Sequence, residues 1–349
     1  MSNTISKTTI LDIARELHIT AATVSRALND HPGIKESTKK MVKETAVKLN
    51  YQHNKIASSL RLGRSNIIGV IIPSAEINFF GSVVHGIERV ANENNYTVLI
   101  YQSNELYEYE KRGVQTFLQS QVDGILASIS KETINLDHYS EIKKRGIPLI
   151  LFDRTNDSLG VSSVVVDDYA GAFEATRHLV EQGCRRIAHI GGQQHVNIFN
   201  LRLKGYIDAL NVSNMPVDED LIIYGKVSIE SGYACMNRLL ANAKPPDAVF
   251  AVEDFTALGA IQAIKAANKK IPDDVAIIGF ANEAFGEYLT PSLSTVNQQT
   301  VAMGEEAAKL FFEGFRKGKG LYYSNIRKLV LEPEIICRAS SVKKYDKIL

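Results

Sequence analysis

The chain has 349 residues, of which 45% are hydrophobic, enough for two or three domains at roughly 100–200 residues each, and no run reaches the ~18 uninterrupted apolar residues that a membrane helix needs. Its three cysteines, Cys184, Cys235 and Cys337, are widely spaced with no CxxC pair, which argues against a disulfide framework or a zinc site and fits small buried residues in a reducing, cytoplasmic setting. The net charge of +1 hides an asymmetry: residues 1–64 hold 11 Lys/Arg and 5 Asp/Glu, a surplus of +6, and leave −5 for the remainder, as expected for a polyanion-binding module joined to a different kind of domain.

The first residues, "MSNTISKTTI", lack a basic region followed by a long apolar block, so no signal peptide is expected. Thr9 and Asp12 have the spacing of a capping box. The helix "ILDIARELHI" follows, with Ile10, Ile13, Ala14 and Leu17 on one stripe. Thr20 is placed to cap the next helix. At 100° per residue, Ala21, Ala22, Ser25, Arg26 and Asn29 share one arc of about 140°, opposite Thr23, Val24, Ala27 and Leu28. A third helix is expected at about 36–50, with Met41, Val42, Ala46 and Leu49 inward. This is a helix-turn-helix pattern. A helix that lies in a major groove needs small residues for close approach. Arg26 can reach guanine, Ser25 and Asn29 can bond phosphates or bases, and an alanine methyl can meet a thymine methyl. An ordinary solvated amphipathic helix is the alternative. In "YQHNKIASSLRLGRS", Ile56, Ala57 and Leu60 sit at helical spacing before Gly63, which predicts a marginal helix that folds on binding.

The stretches "TILDIARELHITAATVSRALN" and "KLNYQHNKIASSLRLGRSNIIGVIIP" resemble the lactose-repressor (LacI/GalR) family of bacterial transcription regulators, and the likeness extends to about Arg338. The resemblance implies that Ala21, Ala22 and Arg26 read bases, while Thr20, Thr23, Ser25 and Asn29 position the backbone or support the readers. It assigns Asn54, Ala57 and Leu60 to a hinge helix, with Leu60 a wedge that opens a central base step from the minor groove. Two alanines stand where relatives often carry larger or polar readers, leaving sequence preference to Arg26 and methyl contacts.

Beyond the linker, apolar strands alternate with amphipathic helices. Strands are expected at 67–72, 96–101, 124–129, 148–152 and 162–167, then at 186–191, 221–225, 248–252 and 275–280. Near-continuous β-branched runs between helices indicate parallel sheets covered on both faces. The pattern occurs twice, which implies two lobes, with "LSTVNQ" and "RKLVLEPEIICR" crossing back between them. The fold expected is an all-α helix-turn-helix headpiece plus hinge helix, followed by an α/β domain that resembles the periplasmic-binding-protein-like fold of two Rossmann-like lobes. The boundaries are 1–53 for the headpiece, 54–65 for the hinge and 66–349 for an effector-binding and dimerisation domain. Lobe one covers about 66–166 and 298–326; lobe two covers about 167–297 and 327–340.

Open α/β sheets bind ligands at the carboxyl ends of their strands. Phe79 and Phe80 follow the first strand; the resemblance places them at a cleft mouth, where a ring can stack on a flat or sugar-like ligand, and core packing is the alternative. Asp153 and Arg154 end the fourth strand, and the family uses the Asp153 position for ligand polar groups. Arg202 in "NLRLKGY" matches an arginine that bonds the ligand, often bidentately. At the next strand end Asp254 can cap a helix while Glu253 faces the cleft. Asn197 and Phe199 are further lining candidates. Two departures stand out: Ala281 replaces an aspartate common in relatives, leaving Asn282 to substitute in part, and Val227 stands where relatives often place an aromatic ring.

The resemblance implies a homodimeric repressor that binds a near-palindromic operator in double-stranded DNA. A small metabolite, a sugar or sugar derivative among the candidates, would control it from between the lobes. No cofactor and no membrane partner are expected, and the end "SVKKYDKIL" has no heptad for a tetramer seam. An enzyme of doubly wound fold is the rival class. The chain has no G-x-x-x-x-G-K-[ST], G-x-G-x-x-G or G-x-S-x-G, and His178, His189 and His195 lack metal-ligand spacing. A solute-binding protein without DNA affinity would not need the basic head.

Overall fold

Three short helices form around a few aliphatic side chains at the amino end. Thr9 precedes α1 (Ile10–Glu16), and the Asp12 carboxylate accepts hydrogen bonds from the Thr9 backbone N–H at 2.8 Å and its hydroxyl at 2.7 Å. After a turn through His18, whose φ is +53°, Thr20 starts α2 (Ala21–Leu28). The third helix, α3, is Glu36–Lys48. Ile13, Val24, Ala27 and Val42 are fully buried between them. Two expectations fail here. Met41 is 40% exposed, because Thr45 and the stem of Lys39 turn inward with Val42 instead. Ser25, expected on the outer arc, is only 7% exposed and lies on the buried side of α2 with Val24.

The computed structural model describes residues 8–51, 64–316 and 322–343. Contacts divide the chain into residues 1–65 and residues 66–349. In the larger unit, β1 (Ile67–Ile72), β2 (Thr97–Gln102), β3 (Gly124–Ala127), β4 (Leu149–Phe152) and β5 (Ser162–Val166) alternate with α4 (Asn78–Glu93), α5 (Tyr107–Gln119) and α6 (Asp137–Lys144). Four more strands follow: β6 (Ile187–Gly191), β7 (Ile222–Tyr224), β8 (Ala248–Ala251) and β9 (Ala276–Ile278). They alternate with α7 (Asp168–Glu181), α8 (Asn197–Val212), α9 (Ile229–Leu240) and α10 (Asp254–Ala266). Then come β10 (Thr295–Asn297), α11 (Thr300–Arg316), β11 (Lys328–Leu331) and β12 (Glu334–Ile336).

Lobe one is a six-stranded parallel sheet in the order β11-β5-β4-β3-β1-β2, and lobe two a four-stranded parallel sheet in the order β7-β6-β8-β9. Each sheet has an apolar cluster on both faces, which is why its strands read as continuous β-branched runs. β11 corrects the expected lobe boundary. It pairs with β5 from Lys328 to Leu331 and therefore belongs to lobe one. The return crossing falls after Leu331, where β12 pairs antiparallel with β10. No described helix is long and apolar enough to cross a membrane.

Candidate functional site

On α2, Thr20 Oγ1 accepts the Thr23 N–H at 3.1 Å and lies 2.9 Å from the Thr23 hydroxyl, so both threonines fix the helix start. Ala22, Arg26 and Asn29 are exposed, and Ala21 is half-buried against the head core. Asn29 Nδ2 donates to the Ser25 carbonyl at 2.7 Å, which orients its carboxamide. The outer face thus offers one methyl, one guanidinium and one carboxamide. The burial of Ser25 removes it from the exposed set. Asn54, Ala57 and Leu60 lie outside the described residues.

The second candidate site lies where the carboxyl ends of both parallel sheets meet. A cavity there has apolar walls of Ile77, Phe79 and Phe80 from lobe one and Ile198, Phe199, Val227 and Phe255 from lobe two. Phe79 and Phe80 pack edge to face at 5.0 Å. Polar groups enter from Lys131, Asp153, Arg154, Arg202, Glu253 and Gln298.

Arg202 is 2% exposed. Its Nε donates to Asp168 Oδ1 at 2.8 Å, its Nη2 lies 2.7 Å from the same oxygen, and its Nη1 donates to the Val252 carbonyl at 2.7 Å. Its Cζ lies 3.7 Å from the centre of the Phe280 ring, and Nη2 also reaches Gln298 Oε1 at 3.5 Å. Most of its donors are therefore spent inside the protein. Burial pushes the Asp168 carboxyl up to about 6 against the pull of Arg202. Arg154 packs over Phe80 and pairs with Glu105 at 2.7 Å, which Lys131 also approaches at 3.4 Å. Asp153 accepts from the Ser128 hydroxyl at 3.1 Å; burial raises its carboxyl, with Arg154 and Arg202 opposing.

Glu253, and not Asp254, caps α10. Glu253 Oε2 accepts the Phe255 N–H at 3.0 Å, whereas its Oε1 is enclosed and has no hydrogen-bond partner among the described residues. Burial, then the neighbouring Asp254 carboxylate, pushes Glu253 up to about 8. Asp254 is fully buried and braces the next strand end instead. It accepts from the Glu283 N–H and the Thr295 hydroxyl, each at 2.8 Å. Glu283 then crosses the cleft, its Oε1 accepting the Phe79 N–H at the start of α4 at 3.2 Å. On the other rim His195 Nε2 donates to the Lys131 carbonyl at 2.6 Å.

Phe79, Phe80, Asp153, Arg154, Phe199, Arg202, Val227 and Glu253 come together around one cavity. Two expected residues do not. Asn282 turns away, its Oδ1 accepting from Arg338 at 3.1 Å, so Ala281 alone presents that loop to the cavity. Asn197 is exposed and lines an adjoining cavity. Sequence reasoning missed Asp168, Gln298 and Glu283, which hold the visible candidates in place. The strand ends carry unusual backbone: Asp153 (φ +59°), Val227 (φ +55°), Ala281 (φ +129°) and Asn282 (φ +55°). A β-branched valine in the left-handed region is costly, and such costs concentrate where ligands bind.

A basic helix-turn-helix unit followed by a two-lobed α/β unit with a cleft defines a DNA-binding regulator built on a ligand-binding scaffold. Residues 9–54 match the family described as bacterial regulatory proteins, lacI family, and residues 176–341 match a periplasmic binding protein-like domain. The chain is 32% identical over 310 residues to Catabolite control protein A of Priestia megaterium, covering 88% of this chain and 93% of that one. It superposes on a transcriptional regulator CelR–cellobiose complex with a TM-score of 0.71 at 28% identity, covering 96% of this chain and all of that one. The lac repressor dimer bound to operator and the anti-inducer ONPF shares the fold, with a TM-score of 0.85 at 21% identity over 97% of this chain and 100% of that one. The chain belongs to the LacI family of bacterial transcription regulators.

Proposed function

We propose that the protein is a homodimeric cytoplasmic repressor whose affinity for a near-palindromic operator is set by a small metabolite bound between the lobes. The observation that carries this reading is the convergence of Phe79, Asp153, Arg202 and Glu253, drawn from both lobes, on one cavity in a chain that also carries a basic head. Arg26 reads a base, Ala21 and Ala22 allow close approach, and Thr20, Thr23 and Asn29 set the register on phosphates. Asn54 and Ala57 belong to the hinge helix, and Leu60 wedges the central minor groove. The effector is a sugar or sugar derivative: aromatic walls meet its apolar face, and Asp153 and Glu253 meet its hydroxyls. A ligand that touches both lobes binds one lobe angle better than another and shifts the population accordingly. The lobe angle sets the spacing of the two hinges across the dimer, and so the cost of folding them on DNA.

The coupling expected is about 1–3 kcal/mol, a change of roughly 5–150-fold in operator affinity. Fluorescence anisotropy on a labelled fragment from upstream of the chain's own gene, with and without a panel of sugars and sugar derivatives, tests this. At least one compound should shift the midpoint by that factor. DNA affinity that no compound moves would remove the effector half of the proposal.

A further inference from the structure

Helix α4 opens in lobe one with Ile77 at its cap position, a residue whose side chain has no polar atom, so the first N–H groups of the helix need an acceptor from elsewhere. Lobe two supplies it. Glu283, 204 residues further along the chain, follows β9, and its Oε1 accepts the Phe79 N–H at 3.2 Å. The same carboxylate faces the Asn78 N–H. Glu283 is 3% exposed. A buried carboxylate at a helix start makes a charge-assisted bond and also meets the positive end of the helix dipole. Glu283 is not among the residues that line the aromatic cavity, whereas Phe79 and its neighbour Phe80 form one of the cavity walls.

Both ends of this bridge are fixed. In lobe two the Glu283 N–H donates to Asp254 Oδ2 at 2.8 Å, and Asp254 Oδ1 accepts from the Thr295 hydroxyl at 2.8 Å. Thr295 Oγ1 accepts the Asn282 N–H at 3.1 Å, and the Val296 carbonyl accepts the Ala281 N–H at 3.0 Å. Residues 281–283 are thus tied to β10, the strand that leads back to lobe one through α11. In lobe one α4 is seated on α11 by the backbone approaches at Gly86 and Gly304. A change in lobe angle therefore breaks the bond between Glu283 and Phe79, because neither anchor is free to follow the other.

We infer that Glu283 is a latch: without an effector it holds the lobes at one angle, and it sets the start of α4, with the phenylalanine wall, before a ligand arrives. The inference rests on the reading that the lobe angle carries the signal, and it names the residue that fixes that angle at rest. Glu283 acts through Phe79 and is a positioning residue. A ligand that prefers a wider angle has to break this bond, and one that prefers the resting angle meets a preformed wall.

The test is pulsed electron–electron distance measurement on the full chain, with neither ligand nor DNA. Spin labels go on E132C, in the loop after β3, and E230C, in the first turn of α9, both exposed positions. The exposed Cys337 is removed as C337S, and labelled chain is diluted with unlabelled chain so that distances within one protomer are read. E283Q keeps the reach and an acceptor, and should leave the distance distribution unchanged. E283D keeps the charge but is one methylene too short, and should add a longer-distance population, as should E283A. Hydrogen exchange at residues 78–81 should quicken roughly tenfold or more in E283D and E283A, the worth of a hydrogen bond to a charged group, and stay slow in E283Q. Faster exchange with unchanged interlobe distances would reduce Glu283 to a local cap and overturn the inference. So would an E283Q chain that opens as far as E283D. Thermal unfolding verifies each variant, and if E283A does not fold, E283D against E283Q decides. A negative result leaves the proposed control by an effector standing, because no effector enters the measurement.

Discussion

Arg202 shows how a cavity-lining charged residue is held. Its chemistry was legible in "NLRLKGY", but its partners were not: Asp168 and Gln298 are 34 and 96 residues away, and no local pattern couples them. The buried pair dictates the effect of a substitution. Arg202→Ala would leave the Asp168 charge uncompensated, and breaking a buried pair costs about 3–5 kcal/mol. Chemical denaturation should show a loss of that size in the ligand domain, with the effector response gone; a loss under about 1 kcal/mol would contradict the bracing role. Glu253 has a pH signature. Its ordinary value is 4.5, and its folded value is about 8. The folded state therefore keeps a proton that the unfolded chain releases, and stability falls as pH rises through that window. Asp168 and Asp254, both near 6, share the slope at lower pH. The Glu253→Gln variant keeps a cap acceptor, and its unfolding temperature should decline less than wild type between pH 6 and 8. Equal declines would show that Glu253 is already ionised. Ser25 and Asn282 were misjudged for one reason: a helical arc or a strand-end position fixes where a residue sits, and only the packed neighbours decide which way it turns.

Among the elements, strand positions were largely visible because β-branched runs buried on both faces have few alternatives. The lobe to which β11 belongs was not. Its burial alternates along Lys328–Leu331, as in an edge strand, and nothing local says which sheet edge it joins. Helix crossings are specified by glycine. A Cβ on Gly304 of α11 would press on the Val83 carbonyl of α4, and one on Gly86 would press on the Val301 carbonyl, so the two backbones touch. Gly304→Ala should cost about 1–3 kcal/mol through overpacking. Gly81, in the same helix α4, has open space around its Cβ position, and Gly81→Ala should be neutral or slightly stabilising. Thermal unfolding of the two variants compares them directly; equal losses would mean that the crossing tolerates more than the geometry allows.

For the whole molecule, the most informative line in the sequence was the charge split, +6 on residues 1–64 against −5 on the rest. It separates a basic head from a mildly acidic α/β body. The resemblance carried the rest of the functional reading, because the charge marks the head alone and periodicity does not say what the α/β body binds. The make-up of the cleft cavity escaped the sequence because it is assembled from strand ends scattered between Ile77 and Gln298. What remains at this scale is the link between DNA recognition and family membership. The direct measurement is selection of fragmented genomic DNA by the purified full-length chain, followed by affinities for the enriched site and for random duplex at several salt concentrations. A near-palindromic site should emerge, bound at least 10³-fold more tightly than random duplex, with both affinities falling steeply as salt rises. Enrichment of no site over random duplex, with and without the sugar panel, would contradict the account.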